Sequence, residues 1–115
     1  MQAYSDHWDL IQQVLRDHVD RGDLRYSEHA NERMDERGIT RKTVEHIVYR
    51  NRPTEMHEPF QYPYGENPYA NPDPVFTVVG EHEGRKIAVA LALKHRGRSL
   101  LFTVITAFEA SGRHI

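Results

Sequence analysis

The sequence predicts an α+β fold, with N-terminal helices packed on a three- to four-stranded antiparallel sheet. Three observations carry this. Apolar residues at helical spacing, each run with its own capping residue, are confined to residues 5–50. Runs of β-branched, aromatic and aliphatic residues fill the last third. Between them lies PFQYPYGENPYANPDP (59–74), which holds five of the six prolines and supports no regular structure. Helices first and strands later is the order of an α+β domain rather than of alternating βαβ units. At 115 residues the chain is read as one domain, 1–115, and it shows no internal repeat.

The first helix is expected over 5–22. Ser5 is a good N-cap, Trp8, Ile11, Leu15 and Val19 (with Val14) form an apolar stripe, and Gly22 supplies the stop. The second follows Ser27 and covers 28–37, with Ala30 and Met34 facing inward and Gly38 ending it. Thr40 caps the third, 41–50, whose apolar face is Val44, Ile47 and Val48; Pro53 prevents it going much further. Ile39, in the joint between these helices, is expected in the core. The strands are expected at Val75–Val79, Ile87–Leu93 and Leu100–Phe108, with an edge strand at Thr54–Glu58. Their short connections predict an antiparallel meander. Alternation along the last strand puts Thr106 on the same face as Phe102, Val104 and Phe108.

Composition narrows the chemistry. The net charge of −2 argues against a uniformly basic nucleic-acid binder. With no cysteine there is no disulfide, no thiolate metal site and no Cys nucleophile. No apolar run approaches the roughly 18 residues of a membrane span. The opening MQAYSDHW lacks the basic and apolar regions of a signal peptide, so a cytoplasmic protein with no membrane partner is expected. The histidines, at 7, 18, 29, 46, 57, 82, 95 and 114, make none of the usual metal-ligand spacings. There is no phosphate-binding glycine loop and no GxSxG elbow; no cofactor and no metal are expected.

Three features remain as candidates. His29, Arg33 and Arg37 lie at i, i+4 and i+8, which stacks them on one helix face. An imidazole beside two guanidiniums suits phosphate chemistry, because the Arg fork matches phosphate oxygens and His moves protons near neutrality. The plainer reading is a solvated face on which Glu32 and Glu36 pair with the arginines. Next, residues 84–98 contain Arg85, Lys86, Lys94, Arg96 and Arg98 and no acid, so this window is +5 and the other 100 residues sum to −7. Such a patch binds polyanions, or else serves as gatekeepers around an apolar strand. Last, Tyr62, Tyr64 and Tyr69 in the Pro-rich segment either stack on unpaired bases or pack that segment against the domain or a partner.

YSEHANERMDERGITRKTVEHIV (26–48) resembles the HA-x-x-R-M-x-x-R-G-I-[ST] opening of a family of small bacterial domains, and residues 71–111 resemble their Gly, Gly-Arg and Thr-Ala-aromatic-acidic strand pattern. The chain is also similar to the BrnT toxins. The resemblance implies a RelE/ParE-like (barnase-like) fold. It implies metal-independent RNA cleavage by a type II toxin paired with a cognate antitoxin protein, as a homodimer or a toxin–antitoxin hetero-oligomer. By motif position it implies His29 as general acid or base, Arg33 and Arg85 as phosphate clamps and Arg37 in support. It also brings in Thr106, either as a hydrogen-bond donor or as a structural hydroxyl. His57 and His95 stand in reserve for proton transfer. Lys86, Lys94, Arg96, Arg98 and Tyr64 are the expected RNA contacts. BrnT-type toxins usually carry Arg after the Ser/Thr-Ala of the last strand, where this chain has Phe108. That departure favours the alternative, a catalytically inactive interaction or RNA/DNA-binding module of the same fold.

Overall fold

Trp8, Ile11 and Leu15 are buried on one side of the first helix, α1 (Trp8–Arg21), as their spacing requires. The computed structural model describes residues 6–65 and 67–110. Ser5, the expected cap, lies outside them; His7 occupies the N-cap position and makes no side-chain cap. Gly22 ends α1 in the left-handed conformation, φ 71°. β1 (Arg25–Tyr26), α2 (Glu28–Arg37), α3 (Arg41–Arg50), β2 (Pro53–His57), β3 (Val75–His82), β4 (Arg85–Arg96) and β5 (Ser99–Glu109) follow. Residues 58–74 form neither helix nor strand among those described.

The α+β architecture stands, with helices on a sheet. The sheet has five strands rather than three or four, in the order β1-β5-β4-β3-β2. The additional strand is β1, two residues long and parallel to β5 through Arg25↔Thr103 and Tyr26↔Val104. Two residues carry no periodicity, so local sequence could not announce it. The other pairings are antiparallel, and the expected edge strand is present as β2.

β4 lies at the centre, and Ile87–Leu93 are buried without interruption. Ile87, Val89, Leu91 and Leu93 meet the helices together with Phe76, Val78, Phe102 and Val104. Trp8 packs edge-on against Phe76, ring centroids 5.1 Å apart, and Ile39 is buried as expected. The opposite face is floored by small side chains, Ala88, Ala90 and Ala92.

One expectation is overturned here. β5 is not a simple alternating strand: Ala90 pairs with Thr106 but Leu91 pairs with Val104, leaving Ile105 as the extra residue of a β-bulge. The bulge resets the parity. Phe102 and Val104 face the helices, while Thr106 and Phe108, opposite Ala90 and Ala88, face the other side.

Candidate functional site

The motif helix α2 is placed by local chemistry at both ends. Ser27 Oγ accepts from the Ala30 amide at 3.0 Å, the N-cap bond that satisfies one of the helix's orphan donors. Gly38 closes the helix at φ 64°. Ala30 and Met34 are buried, which fixes the rotation of the helix and sets His29, Arg33 and Arg37 along one flank. That flank runs beside β5. The Ser27 amide donates to the Val104 carbonyl at 3.0 Å. Nearly three turns later Arg37 Nη1 donates to the Ala107 carbonyl at 2.8 Å and meets Thr106 Oγ1 at 3.4 Å.

The structure therefore brings Arg37 and Thr106 together, and the bulge makes this possible by turning Thr106 away from the core. His29 and Arg33 sit on the same helix flank, about 12 Å and 6 Å of helix rise from Arg37. His29 is half-buried. Arg33 forms an ion pair with Glu36 across one turn, Nη1 to Oε2 3.2 Å. Arg85 arrives from β4 with its guanidinium already engaged: Nη1 donates to the Gly38 carbonyl at 2.9 Å, Nη2 to the Arg37 carbonyl at 3.0 Å, and Nη2 and Nε to Glu109 Oε1 at 2.9 and 3.2 Å. A cation on the last carbonyls of a helix is where the helix dipole favours it. Arg85 thus locks the end of α2 onto the start of β4 and the end of β5.

The expected cationic patch is divided by the length of β4. Lys86, whose register partner is Glu81, stands at one end. Lys94, Arg96 and Arg98 stand exposed at the other, roughly 26 Å away from Lys86 to Lys94 at the rise of a strand. Arg98 borders a groove of about 410 Å³ whose other walls include Leu10, Val14, His18 and Arg21. His95 is exposed at the same end. Tyr64 is 40% exposed and lies on the far face of the sheet, in edge contact with His57 and Tyr62.

Sequence spacing missed a second histidine cluster. His46 of α3 and His82 of β3 are 36 positions apart, yet their rings lie 4.3 Å centroid to centroid. Thr43 Oγ1 is 2.9 Å from His82 Nδ1, and Thr40 Oγ1 donates to Thr43 Oγ1 at 3.2 Å. Partial burial, then Arg50 and His82, hold the His46 imidazole below its ordinary pKa. Near the start of the motif, Arg41 lies over the Tyr26 ring at 4.3 Å. Burial, and next the Glu45 carboxylate, push the Tyr26 phenol far above its ordinary range. Among the described residues no three His, Asp or Glu side chains are grouped to hold a metal ion.

With this geometry in view, comparison with known proteins assigns the family. A model for "Domain of unknown function (DUF4258)" matches residues 26–109. The chain belongs to the DUF4258 family. No curated protein and no solved structure matches it. The DUF4258 span starts at Tyr26, the first residue of the helix motif, and ends at Glu109, the carboxylate that Arg85 holds. It takes in His29, Arg33, Arg37, Arg85 and Thr106 and leaves out α1, although α1 supplies Trp8, Ile11 and Leu15 to the core. Among the described residues no helix is long and apolar enough to cross a membrane.

Proposed function

We propose that this DUF4258 domain acts on RNA as a metal-independent endoribonuclease, the toxin of a type II toxin–antitoxin pair, with His29, Arg33, Arg37 and Thr106 as its working residues. The observation that carries the reading is the α2 flank: His29 and Arg33 share it with Arg37, which meets Thr106 at the β5 bulge. RNA holds its own nucleophile. His29 takes the 2′-hydroxyl proton or returns one to the 5′-oxygen leaving group, while the arginines stabilise the charge that develops on the phosphate. Acid–base groups in position contribute about 10²–10⁴-fold to such a step, and charge stabilisation in a partly desolvated site a comparable factor. Arg85 acts in this scheme as a positioning residue, since its donors hold the backbone of Arg37 and Gly38. The resemblance to BrnT-type toxins supplies the partner, a cognate antitoxin protein, and a cytoplasmic setting.

A second reading is favoured by a specific observation. Arg85 and Arg37 both donate to main-chain carbonyls, and Phe108 stands where BrnT-type toxins usually have Arg. Those features suit a module that binds RNA or DNA without cleaving it. Incubation of the purified chain with RNA in excess chelator separates the two. The nuclease reading expects products ending in 2′,3′-cyclic phosphate, lost in His29→Ala and Arg33→Ala variants that keep the wild-type circular dichroism. Intact RNA with wild-type protein, or undiminished cleavage in both variants, overturns it.

A further inference from the structure

The face of the sheet away from the helices carries a second feature of its own. Register partners set out a row across four strands, Glu55–Thr77–Ala90–Thr106, and a second, His57–Val75–Ala92–Thr103. Each row is about 14 Å long at the usual strand spacing. The Pro-rich segment folds back over the β2–β4 part of this face. Tyr62 is buried there, packed with Val75, Ala90 and Ala92. His57, Tyr62 and Tyr64 form a mutual edge-to-face trio, with ring centroids 5.4–6.3 Å apart.

Two observations set this strap apart. Among the described residues, the buried Nε2 atom of His57 has no hydrogen-bond partner. Trp8 Nε1 and Tyr26 Oη share this state in the core, and of the three His57 is the one beside the strap. In addition, Phe60 and Tyr69 hold left-handed backbone, φ 61° and 63°, which side chains other than glycine rarely adopt. These two residues flank the bonds that close the strap, Phe60 N–H to the Asn71 carbonyl and Tyr69 N–H to the Tyr62 carbonyl, both 2.8 Å. Phe60, Tyr64 and Tyr69 are also three of the exposed large apolar side chains.

We propose that the strap is a stacking site for an unpaired nucleobase, which enters between Tyr64 and the His57–Tyr62 pair and gives His57 Nε2 its missing hydrogen bond. The proposal rests on the RNA reading above and names how the strand is held. A nucleobase fits both deficits at once, because it offers a flat face to the tyrosines and a polar edge to the imidazole. Further along the path of a strand stand two cations: Arg37, beside Thr106 at the β5 end of the first row, and Lys94, two residues beyond Ala92 on the same face.

The test uses the full chain and a six-adenosine RNA with 2′-O-methyl sugars, which cannot be cleaved by 2′-hydroxyl attack. A six-unit abasic version of the same backbone is the control. Binding is followed by anisotropy at low salt. The wild type is expected to prefer the adenosine strand. Tyr64→Ala and His57→Phe should each weaken that binding by roughly tenfold while leaving the abasic strand unaffected. Arg33→Ala should weaken both strands alike. Equal binding of the adenosine strand by wild type, Tyr64→Ala and His57→Phe overturns the stacking site and leaves the RNA reading in place if Arg33→Ala still weakens it. Failure of the wild type to bind either strand overturns both. His57→Phe keeps an aromatic ring in the trio, so its loss of binding reports the missing nitrogen, provided thermal melting matches the wild type.

Discussion

Arg85 donates through Nε and Nη2 to one oxygen of Glu109, at 3.2 and 2.9 Å, while its remaining donors reach the carbonyls of Arg37 and Gly38. A residue that a sequence motif marks as a phosphate clamp is here the tie between a helix end and two strands. Its side chain is 37% exposed, so solvent weakens each bond. Arg85→Ala is expected to lower stability by about 1–2 kcal/mol, a fall in Tm of roughly 5–10 °C. Differential scanning calorimetry checks it. An unchanged Tm together with lost RNA cleavage would return Arg85 to the role of a phosphate contact.

His46 supplies a pH dependence with a definite sign. Its folded pKa lies below the ordinary histidine value of 6.5. Between the two values the unfolded chain binds the proton and the folded chain does not, so stability falls as pH drops. The stability is fully present above pH 6.5 and is lost as pH falls through the lower, folded value. Urea midpoints measured from pH 7.5 to 5 should decline, and His46→Gln should flatten that part of the curve. A parallel decline in the variant would assign the effect to another group.

Gly80 is needed for space rather than for its backbone angles. A Cβ there would collide with the Asn51 amide and come within 3.3 Å of Ile47 Cγ2. The Asn51 amide donates to the Ile47 carbonyl at 2.9 Å at the end of α3, and the Asn51 carbonyl accepts from Gln12 Nε2 at 3.0 Å. Gly80→Ala therefore displaces the side-chain amide that closes the end of α3, on the residue whose main-chain carbonyl α1 reaches. A loss of about 1–3 kcal/mol is expected, measured by chemical denaturation.

Phe102 is fully buried between the His18 and Phe76 rings, at centroid distances of 5.4 and 6.3 Å. Phe102→Ala should cost about 3–5 kcal/mol, a large share of the stability of a domain this size. Phe108→Ala, on the other face of the same strand and only half-buried, should cost clearly less. Equal losses would contradict the bulge at Ile105, which puts the two rings on opposite faces.

By itself the sequence determined the local elements. Ser27 and Thr40 cap α2 and α3 as expected because an N-cap bond spans only three residues, and the apolar rows of α1, α3 and β4 follow from fixed periods. The shared flank of His29, Arg33 and Arg37 was legible for the same reason. Tertiary structure decided the rest. β1 is too short to carry a pattern and exists only because β5 accepts it. The bulge at Ile105 follows from pairing with β4, and it turned Thr106 from the core toward Arg37. The donors of Arg85 were assigned by main-chain carbonyls nearly fifty residues away. His46 met His82, and the Pro-rich segment closed over His57, through packing between distant elements. Periodicity and caps act over a few residues and are written in the chain. Which groups are left to act on a ligand depends on long-range contacts, and those exist only once the sheet has formed.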